Sequence, residues 1–389
     1  MDKKKIFFLI HSMDVGGVEK ALLGVLSVLP LKQFEVHVGL LHHKGGFLKY
    51  LPAEVKIQDV CCYDKYWQII NDPPLSYIIS FAREGRIIDA IVYLLLYILR
   101  KINGDHYWMY RYMMRNEPIY PNDTYDLAVC FAGPSQMMDY YICRHVRAKV
   151  KCCWIHFDIS KYGIDKGMMN KLYQNYQRIF IVSETGKTIF DQTFPHFKEK
   201  TEVFHNIVLP NQIRDLAEVG ETFNDDFKGK RILTVGRISP EKGQREAIQS
   251  LKILVDKGFC LRWYFVGDGI DLEKCKNDVN EMGLSEYVVF LGMKTNPYGY
   301  MRDCNIYMQP SRHEGFCITL AEALCFNNPI VATDFTGANE QLKNRSNGMV
   351  VGINAEDIAY GVECALSMRK IKDLLVSYDS DIQKMISLL

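Results

Sequence analysis

Apolar residues along this chain come in short unbroken runs, each followed by a longer stretch with the three-to-four-residue spacing of a helix. In the first half the runs are Ile6–Ile10, Val36–Leu41, Leu127–Phe131, Val150–Ile155 and Ile179–Ser183; in the second they are Arg231–Val235, Leu261–Val266, Tyr287–Leu291, Ile306–Gln309 and Pro329–Thr333. Runs without polar alternation, such as Ile-Phe-Ile-Val at 179–182, predict strands covered on both faces, hence parallel sheets joined by crossover helices. The series ends at Ile207-Val-Leu-Pro-Asn-Gln and restarts after the polar stretch 218–230. That reset predicts an α/β chain with residues 1–207 as one domain, 208–370 as a second and 371–389 as a tail helix packing back on the first. Two open parallel-sheet domains place a ligand cleft outside the carboxyl ends of their strands.

The bulk properties agree with two domains and exclude several classes of protein. A chain of 389 residues exceeds what one core usually fills. A net charge of +1 leaves no basic face for nucleic acid. The 12 cysteines include the vicinal pairs Cys61-Cys62 and Cys152-Cys153 but no C-x-x-C, so neither a zinc ribbon nor a thioredoxin motif fits. Several cysteines lie in apolar runs, which suits free thiols in a reducing cytosol. The opening Met1-Asp-Lys-Lys-Lys-Ile-Phe-Phe-Leu-Ile10 reads as a buried strand rather than a signal peptide, because His11, Asp14 and a Gly pair follow at once. The 13-residue apolar run Ile87–Leu99 contains Asp89, and it is shorter than the roughly 20 residues a bilayer requires.

Five segments carry candidate chemistry. In Arg231-Ile-Leu-Thr-Val-Gly-Arg-Ile-Ser-Pro-Glu-Lys-Gly243 a strand ends at Gly236, and Arg237 and Lys242 occupy the loop before a helix. Backbone amides there, a forked guanidinium and a point-charge ammonium suit a diphosphate, although a solvated turn reads the same way from spacing alone. Phe265-Val-Gly-Asp-Gly269 lacks the third glycine of a dinucleotide fingerprint and reads as a tight strand-to-helix turn, with an NAD-dependent oxidoreductase as the weak alternative. Pro310-Ser-Arg-His-Glu-Gly-Phe-Cys-Ile-Thr-Leu-Ala-Glu322 leaves a strand, passes Glu314 and Gly315, and is predicted to become helical from Phe316 to Leu324 with Glu322 upon it. Its free amides at Cys317, Ile318 and Thr319 would point at a ligand, and the two acids would accept sugar hydroxyls. Asp14-Val-Gly-Gly-Val-Glu-Lys20 offers Gly16 and Gly17 for close backbone approach. Trp154-Ile-His-Phe-Asp158 sets His156 at a strand end. A plain turn and a structural histidine are the alternatives for these last two.

Taken together, these segments resemble the large retaining glycosyltransferase family numbered four, with the GT-B fold of two Rossmann-like domains facing across a cleft. Gly-Arg-Ile-Ser-Pro-Glu-Lys-Gly at 236–243, Val-Gly-Asp-Gly at 266–269, Val-Val-Phe-Leu-Gly at 288–292, Glu314 and Glu322, Pro329-Ile-Val-Ala-Thr-Asp334 and Asn347-Gly348 occur in the family's order. The resemblance implies that Arg237 and Lys242 hold the donor diphosphate and Glu322 the ribose. It implies that Glu314, with the amides from Gly315 through Phe316 to Thr319, orients the transferred sugar, that Gly292 and Met293 meet the base, that Gly16 and Gly17 close on the diphosphate, and that His156 sits near sugar and acceptor. It further implies a nucleotide-sugar donor (UDP by family frequency), retention of configuration, no cofactor and no metal. The one D-x-D, Asp379-Ser-Asp381, lies in the tail. The first domain matches mainly at Gly16-Gly17 and around His156, so acceptor identity does not carry over. A non-catalytic nucleotide-sugar-binding scaffold of the same fold remains the alternative function.

Residues 83–115 stand apart. Ile87, Ile88, Ile91, Val92, Leu94, Leu95 and Ile98 make a broad apolar face flanked by Arg83, Arg86, Arg100, Lys101, Arg111 and Arg115, with Tyr and Trp interleaved. Such a stripe fits a helix lying in a membrane interface, and equally a core helix with a solvated basic edge. The first reading makes a lipid-linked acceptor and a location at the inner face of the cell membrane the expectation, the second a cytoplasmic protein.

Overall fold

The structure, a computed structural model, describes residues 3–60, 63–64, 66, 74–161, 163–343, 345–369 and 379–389. The vicinal pair Cys61-Cys62 lies outside the described residues. The chain forms two compact units: one holds the chain to Val182, Lys187–His205 and the tail from Asp379, the other Ser183–Gly186 and the chain from Asn206 through the helix Ala355–Ala365.

The first unit is built on a seven-stranded sheet of order β3-β2-β1-β4-β5-β6-β7. Its strands are β1 (Lys4–Ile10), β2 (Phe34–Leu40), β3 (Lys56–Asp59), β4 (Tyr120–Gly133), β5 (Val146–Ile155), β6 (Arg178–Ile181) and β7 (Thr201–Val203), all paired in parallel. Ile6 to Ile10 are buried without exception, as an apolar run without alternation requires when helices cover both faces. The strands β3 and β7 at the two edges escaped the apolar pattern, because Lys56-Ile-Gln-Asp59 and Thr201-Glu-Val203 each hold only one apolar residue. The tail helix Asp379–Ile386 belongs to this unit: it buries Ile382 and Met385, Lys384 donates to the Val203 carbonyl at 2.7 Å, and Asp381 lies 3.4 Å from His205 and 2.7 Å from Lys384. Asp381 of the tail D-x-D is thus engaged in ion pairs.

The second unit carries a six-stranded parallel sheet of order β10-β9-β8-β11-β12-β13. Its strands are β8 (Lys230–Val235), β9 (Leu261–Val266), β10 (Val288–Phe290), β11 (Ile306–Gln309), β12 (Ile330–Thr333) and β13 (Gly348–Val351). Here too an edge strand, β13, went unread; it lies half-buried along most of its length. The helix Gln244–Asp256 buries Ala247, Ile248, Leu251 and Leu254, one stripe at helical spacing, and packs beside the helix Ala355–Ala365. Each such Leu or Ile contributes about 1.5–3 kcal/mol on burial. At the centre, Thr234 ties three strands: its hydroxyl donates to the Met308 carbonyl at 2.7 Å and accepts from the Trp263 indole at 3.0 Å.

Candidate active site

Strand order selects the place to look. In the six-stranded sheet the connections run outward from β8 through β9 to β10, and in the other direction from β11 through β12 to β13. The loops leaving the carboxyl ends of β8 and β11 therefore diverge, and ligands of open parallel sheets settle in that opening. The loop after β8 carries Gly236, Arg237 and Lys242; the loop after β11 carries Ser311, Glu314 and Gly315.

Across the opening Lys242 Nζ donates to Glu314 Oε1 at 2.5 Å, with the two side chains only 23% and 11% exposed. Burial opposes the Lys242 charge, but the Glu314 carboxylate outweighs it and holds the ammonium above its ordinary pKa. The Lys242 ammonium is therefore charged throughout the neutral range. The same carboxylate oxygen accepts from Ser311 Oγ at 2.8 Å. Ser311 is fixed in turn: Gln309 Nε2 donates to its hydroxyl at 2.9 Å, Tyr307 OH donates to Gln309 Oε1 at 2.7 Å, and Thr333 Oγ1 donates to the Ser311 carbonyl at 2.5 Å. A buried polar chain running back into β11 and β12 thus sets the carboxylate, and satisfied networks of this kind hold their members rigidly.

The β8 loop is braced through glycine. Gly243 adopts φ +70°, and a Cβ there would lie 1.9 Å from the Pro310 carbonyl oxygen, so the two loops meet at backbone distance. Gly267 and Gly269 press from the neighbouring β9 turn, where a Cβ would lie 1.9 Å from the Gly236 oxygen and 2.2 Å from the Ile238 oxygen. Ile238 N donates to the Asp268 carbonyl at 2.9 Å. The Val-Gly-Asp-Gly turn therefore serves close packing against the Arg237 loop. Arg237 itself is exposed, and its carbonyl accepts from the buried Gln244 amide at 2.8 Å.

The helix predicted from Phe316 to Leu324 is shorter, Ile318–Ala323, and passes into a 3₁₀ turn at Leu324–Phe326. Its start is delayed because Cys317 takes φ +66°, a left-handed conformation rare outside glycine, while the Gln341 side chain donates to the Phe316 carbonyl. Gly315 through Ile318 are buried, Thr319 Oγ1 donates to Gln309 Oε1 at 3.2 Å, and burial pushes the Cys317 thiol far up, which leaves it unreactive. Glu322, 3% exposed, accepts from Tyr298 OH at 2.6 Å. Gly292 follows β10 at φ +71° and accepts from Gly267 N at 2.9 Å; Met293 beside it is exposed. The second unit thus brings Lys242 and Glu314 into direct contact and sets Arg237, Glu322 and Gly292 on loops and helices at the same sheet edge.

The remaining candidates belong to the first unit. Its strand order reverses between β1 and β4. Gly16 precedes the helix Gly17–Val28 in the loop after β1, where a Cβ on Gly16 would strike the Glu19 carboxylate at 2.4 Å. His156 follows β5; its backbone N–H donates to the Gly133 carbonyl at 3.3 Å and its ring lies 4.9 Å from that of Phe131. Burial pushes its pKa down to about 3, against a weaker opposing hydrogen bond from the ring to the Phe131 backbone carbonyl. The imidazole is therefore neutral, and its Nε2 is buried without a hydrogen-bond partner. Gln309, Ser311, Tyr298 and Thr333 were not singled out as site residues from the sequence. A serine or glutamine at a strand end carries no periodic or charge signal; Ser311 and Tyr298 gain a role by contact with Glu314 and Glu322, and Gln309 and Thr333 by holding Ser311.

Comparison with known proteins follows the same lines. The family model "Glycosyl transferases group 1" matches residues 221–379. An uncharacterized glycosyltransferase of Methanocaldococcus jannaschii is 29% identical over 177 residues, a stretch covering 44% of this chain and 44% of that relative. The N-acetylgalactosamine-N,N'-diacetylbacillosaminyl-diphospho-undecaprenol 4-alpha-N-acetylgalactosaminyltransferase of Campylobacter jejuni is 25% identical over 373 residues, 95% of this chain and 92% of that protein. Among solved structures, Anabaena HepE in complex with UDP covers 98% of this chain and 94% of its own at 18% identity with a TM-score of 0.62. A TarM variant of S. aureus in complex with Fondaparinux, alpha-GlcNAc-glycerol and UDP covers 99% of both chains at 14% identity with a TM-score of 0.65. The fold is the α/β GT-B class, residues 221–379 carry the glycosyl transferases group 1 match, and with relatives so named the chain is a glycosyltransferase.

Proposed function

We propose that this enzyme transfers a hexose-type sugar from a nucleotide-sugar, with UDP as the nucleotide, to a glycan or lipid-linked acceptor in cell-surface polysaccharide assembly, keeping the anomeric configuration. The observation that carries the reading is the Lys242–Glu314 pair at the strand-order reversal of the six-stranded sheet. One Lys242 proton is taken by Glu314, which leaves others for phosphate oxygens; Arg237 adds a forked donor at the mouth of the same loop. Together they meet the charge that grows on the diphosphate as its bond to the sugar breaks. That is the work a divalent ion does in other transferases, so no metal and no cofactor is assigned. Glu314 spends one oxygen on Lys242 and Ser311, which suits orienting a sugar rather than attacking its anomeric carbon. Glu322 takes the ribose, Gly292 and Met293 the base, and the amides of Gly315 through Phe316, Cys317, Ile318 and Thr319 the sugar and phosphates. Within the first unit, Gly16 and Gly17 offer backbone amides at a helix start and the neutral His156 an Nε2 buried without a hydrogen-bond partner. The named neighbours with bound UDP and the diphospho-undecaprenol relative support the choice of donor and acceptor class.

The test is a thermal-shift screen of nucleotide-sugars. A donor at about 100 times its Kd adds about 2.7 kcal/mol, which at about 2–4 °C per kcal/mol is a rise of about 5–10 °C. UDP-sugars are expected to give it and GDP-sugars not. The positive donor is then incubated with membrane lipid extract in the presence and absence of EDTA, and product configuration is read by NMR. No shift with any nucleotide-sugar refutes the donor site; binding without transfer to any acceptor points to the scaffold alternative.

A further inference from the structure

The helix Ile87–Asn103 resolves its two sequence readings in an unusual way: it has apolar residues on both sides. Ala90 and Tyr93 are buried, with Leu96 and Tyr97 partly so, and Tyr93 packs against Phe81 of the adjoining helix Pro74–Arg83. The opposite side is exposed. Ile88 and Ile102 are 75% and 72% exposed, and Ile91, Leu95, Ile98 and Leu99 lie between 45% and 56%. At 100° per residue these six span about 100° of the helix circumference, and the exposed Ile87 and Leu94 widen the stripe to about 140°. Exposed leucines and isoleucines on one face, opposite the side that joins the core, mark a surface that something else covers.

Charge and aromatic placement say what covers it. Residues 83–115 hold six cations against three acids. Of the acids, Asp89 is met by Arg86 and Arg115, each at 2.7 Å, Asp105 by Lys171, and Glu84 lies 3.2 Å from Arg86. Arg83, Lys101 and Arg111 are exposed, and Lys101 borders the stripe on the helix itself at 100° per residue. The adjoining helix Tyr107–Met113 carries Trp108, half exposed, with the Arg111 guanidinium 5.1 Å from its ring. An apolar face rimmed by cations and an indole matches the boundary between headgroups and acyl chains of an anionic bilayer. A second copy of the helix would use the narrower two-row seam of a coiled coil, and it would bring like charges together. No helix among the described residues is long and apolar enough to cross a membrane, so the fitting geometry is a helix lying flat.

We propose that the exposed face of Ile87–Asn103 docks the enzyme on an anionic lipid surface. This stands on the first unit alone and does not depend on the donor site. The test is flotation of the full chain with phosphatidylglycerol-containing vesicles, with pure phosphatidylcholine vesicles and 0.5 M salt as the other arms, and with the variant I88E/L95E/I102E. The three positions are exposed, so the variant is expected to keep its circular dichroism, its melting temperature and its shift with UDP. Expected is strong flotation with anionic vesicles, reduced several-fold by salt or by neutral lipid, and at least tenfold lower for the variant. Flotation that the variant retains, or no flotation of the wild type, overturns the proposal. So does a wild-type dimer in light scattering that the variant makes monomeric without any vesicle binding, since a second copy would then be the occupant.

Discussion

Lys242→Ala tests the charge logic of the site. The substitution removes a cation whose Nζ lies 2.5 Å from Glu314 and leaves that carboxylate, 11% exposed, with a hydrogen bond from Ser311 Oγ. A largely buried charge stripped of its partner costs about 1–3 kcal/mol, toward the low end here because Lys242 reaches solvent. The cost to turnover is larger and separable. Loss of one positioned donor to developing negative charge costs about 2.7–4 kcal/mol, roughly 10²- to 10³-fold in kcat. Three variants distinguish the effects in thermal unfolding and in a UDP-release assay: Lys242→Ala, Glu314→Gln, and the two combined. The double variant leaves no orphan charge, so its melting temperature is expected to exceed that of Lys242→Ala, while its turnover stays at or below that of either single variant. A folded Lys242→Ala enzyme with turnover within threefold of wild type would refute the assignment of this lysine to the leaving diphosphate. A double variant no more stable than Lys242→Ala would refute the coupling read from the geometry.

Two further expectations follow from the fold. Gly243→Ala is expected to destabilise the second unit by about 3 kcal/mol or more, because a left-handed backbone costs a Cβ-bearing residue about 1–2 kcal/mol and the Cβ would meet the Pro310 oxygen at 1.9 Å. Gly283→Ala, at φ +69° with nothing within 4 Å, is the control and should lose only the backbone part; equal losses in denaturant melts would show the loop contact to be slack. His156 makes stability acid-sensitive: its folded pKa of about 3 lies below the 6.5 of a free imidazole, so the unfolded chain binds the proton first as pH falls. Stability is unaffected above 6.5 and declines by about 1.4 kcal/mol per pH unit between 6.5 and 3 from this group. His156→Gln should flatten that limb of the melting-temperature profile, and an unchanged slope would mean the imidazole is solvated.

Much of this protein could be read without coordinates. Unbroken apolar runs mark the central strands of both sheets because covering on two faces leaves no polar alternation to confuse them. The edge strands β3, β7 and β13 stayed hidden for the converse reason, being short or half-solvated. Arg237, Lys242, Glu314 and Glu322 are charged residues at strand-to-helix junctions, where charge is conspicuous, and their order along the chain carries the family resemblance. Spacing could not say which of them touch. Lys242 and Glu314 lie 72 positions apart, and only the placement of β8 beside β11 brings their loops within hydrogen-bond reach. The supporting residues Gln309, Ser311 and Tyr298 have ordinary side chains whose role exists only in their contacts. The tertiary structure also decided the helix at 87–103. A periodic pattern defines two faces but not which one meets the core. Packing of Ala90 and Tyr93 inward turned the leucine and isoleucine stripe out, because a helix can bury only one side against a single layer.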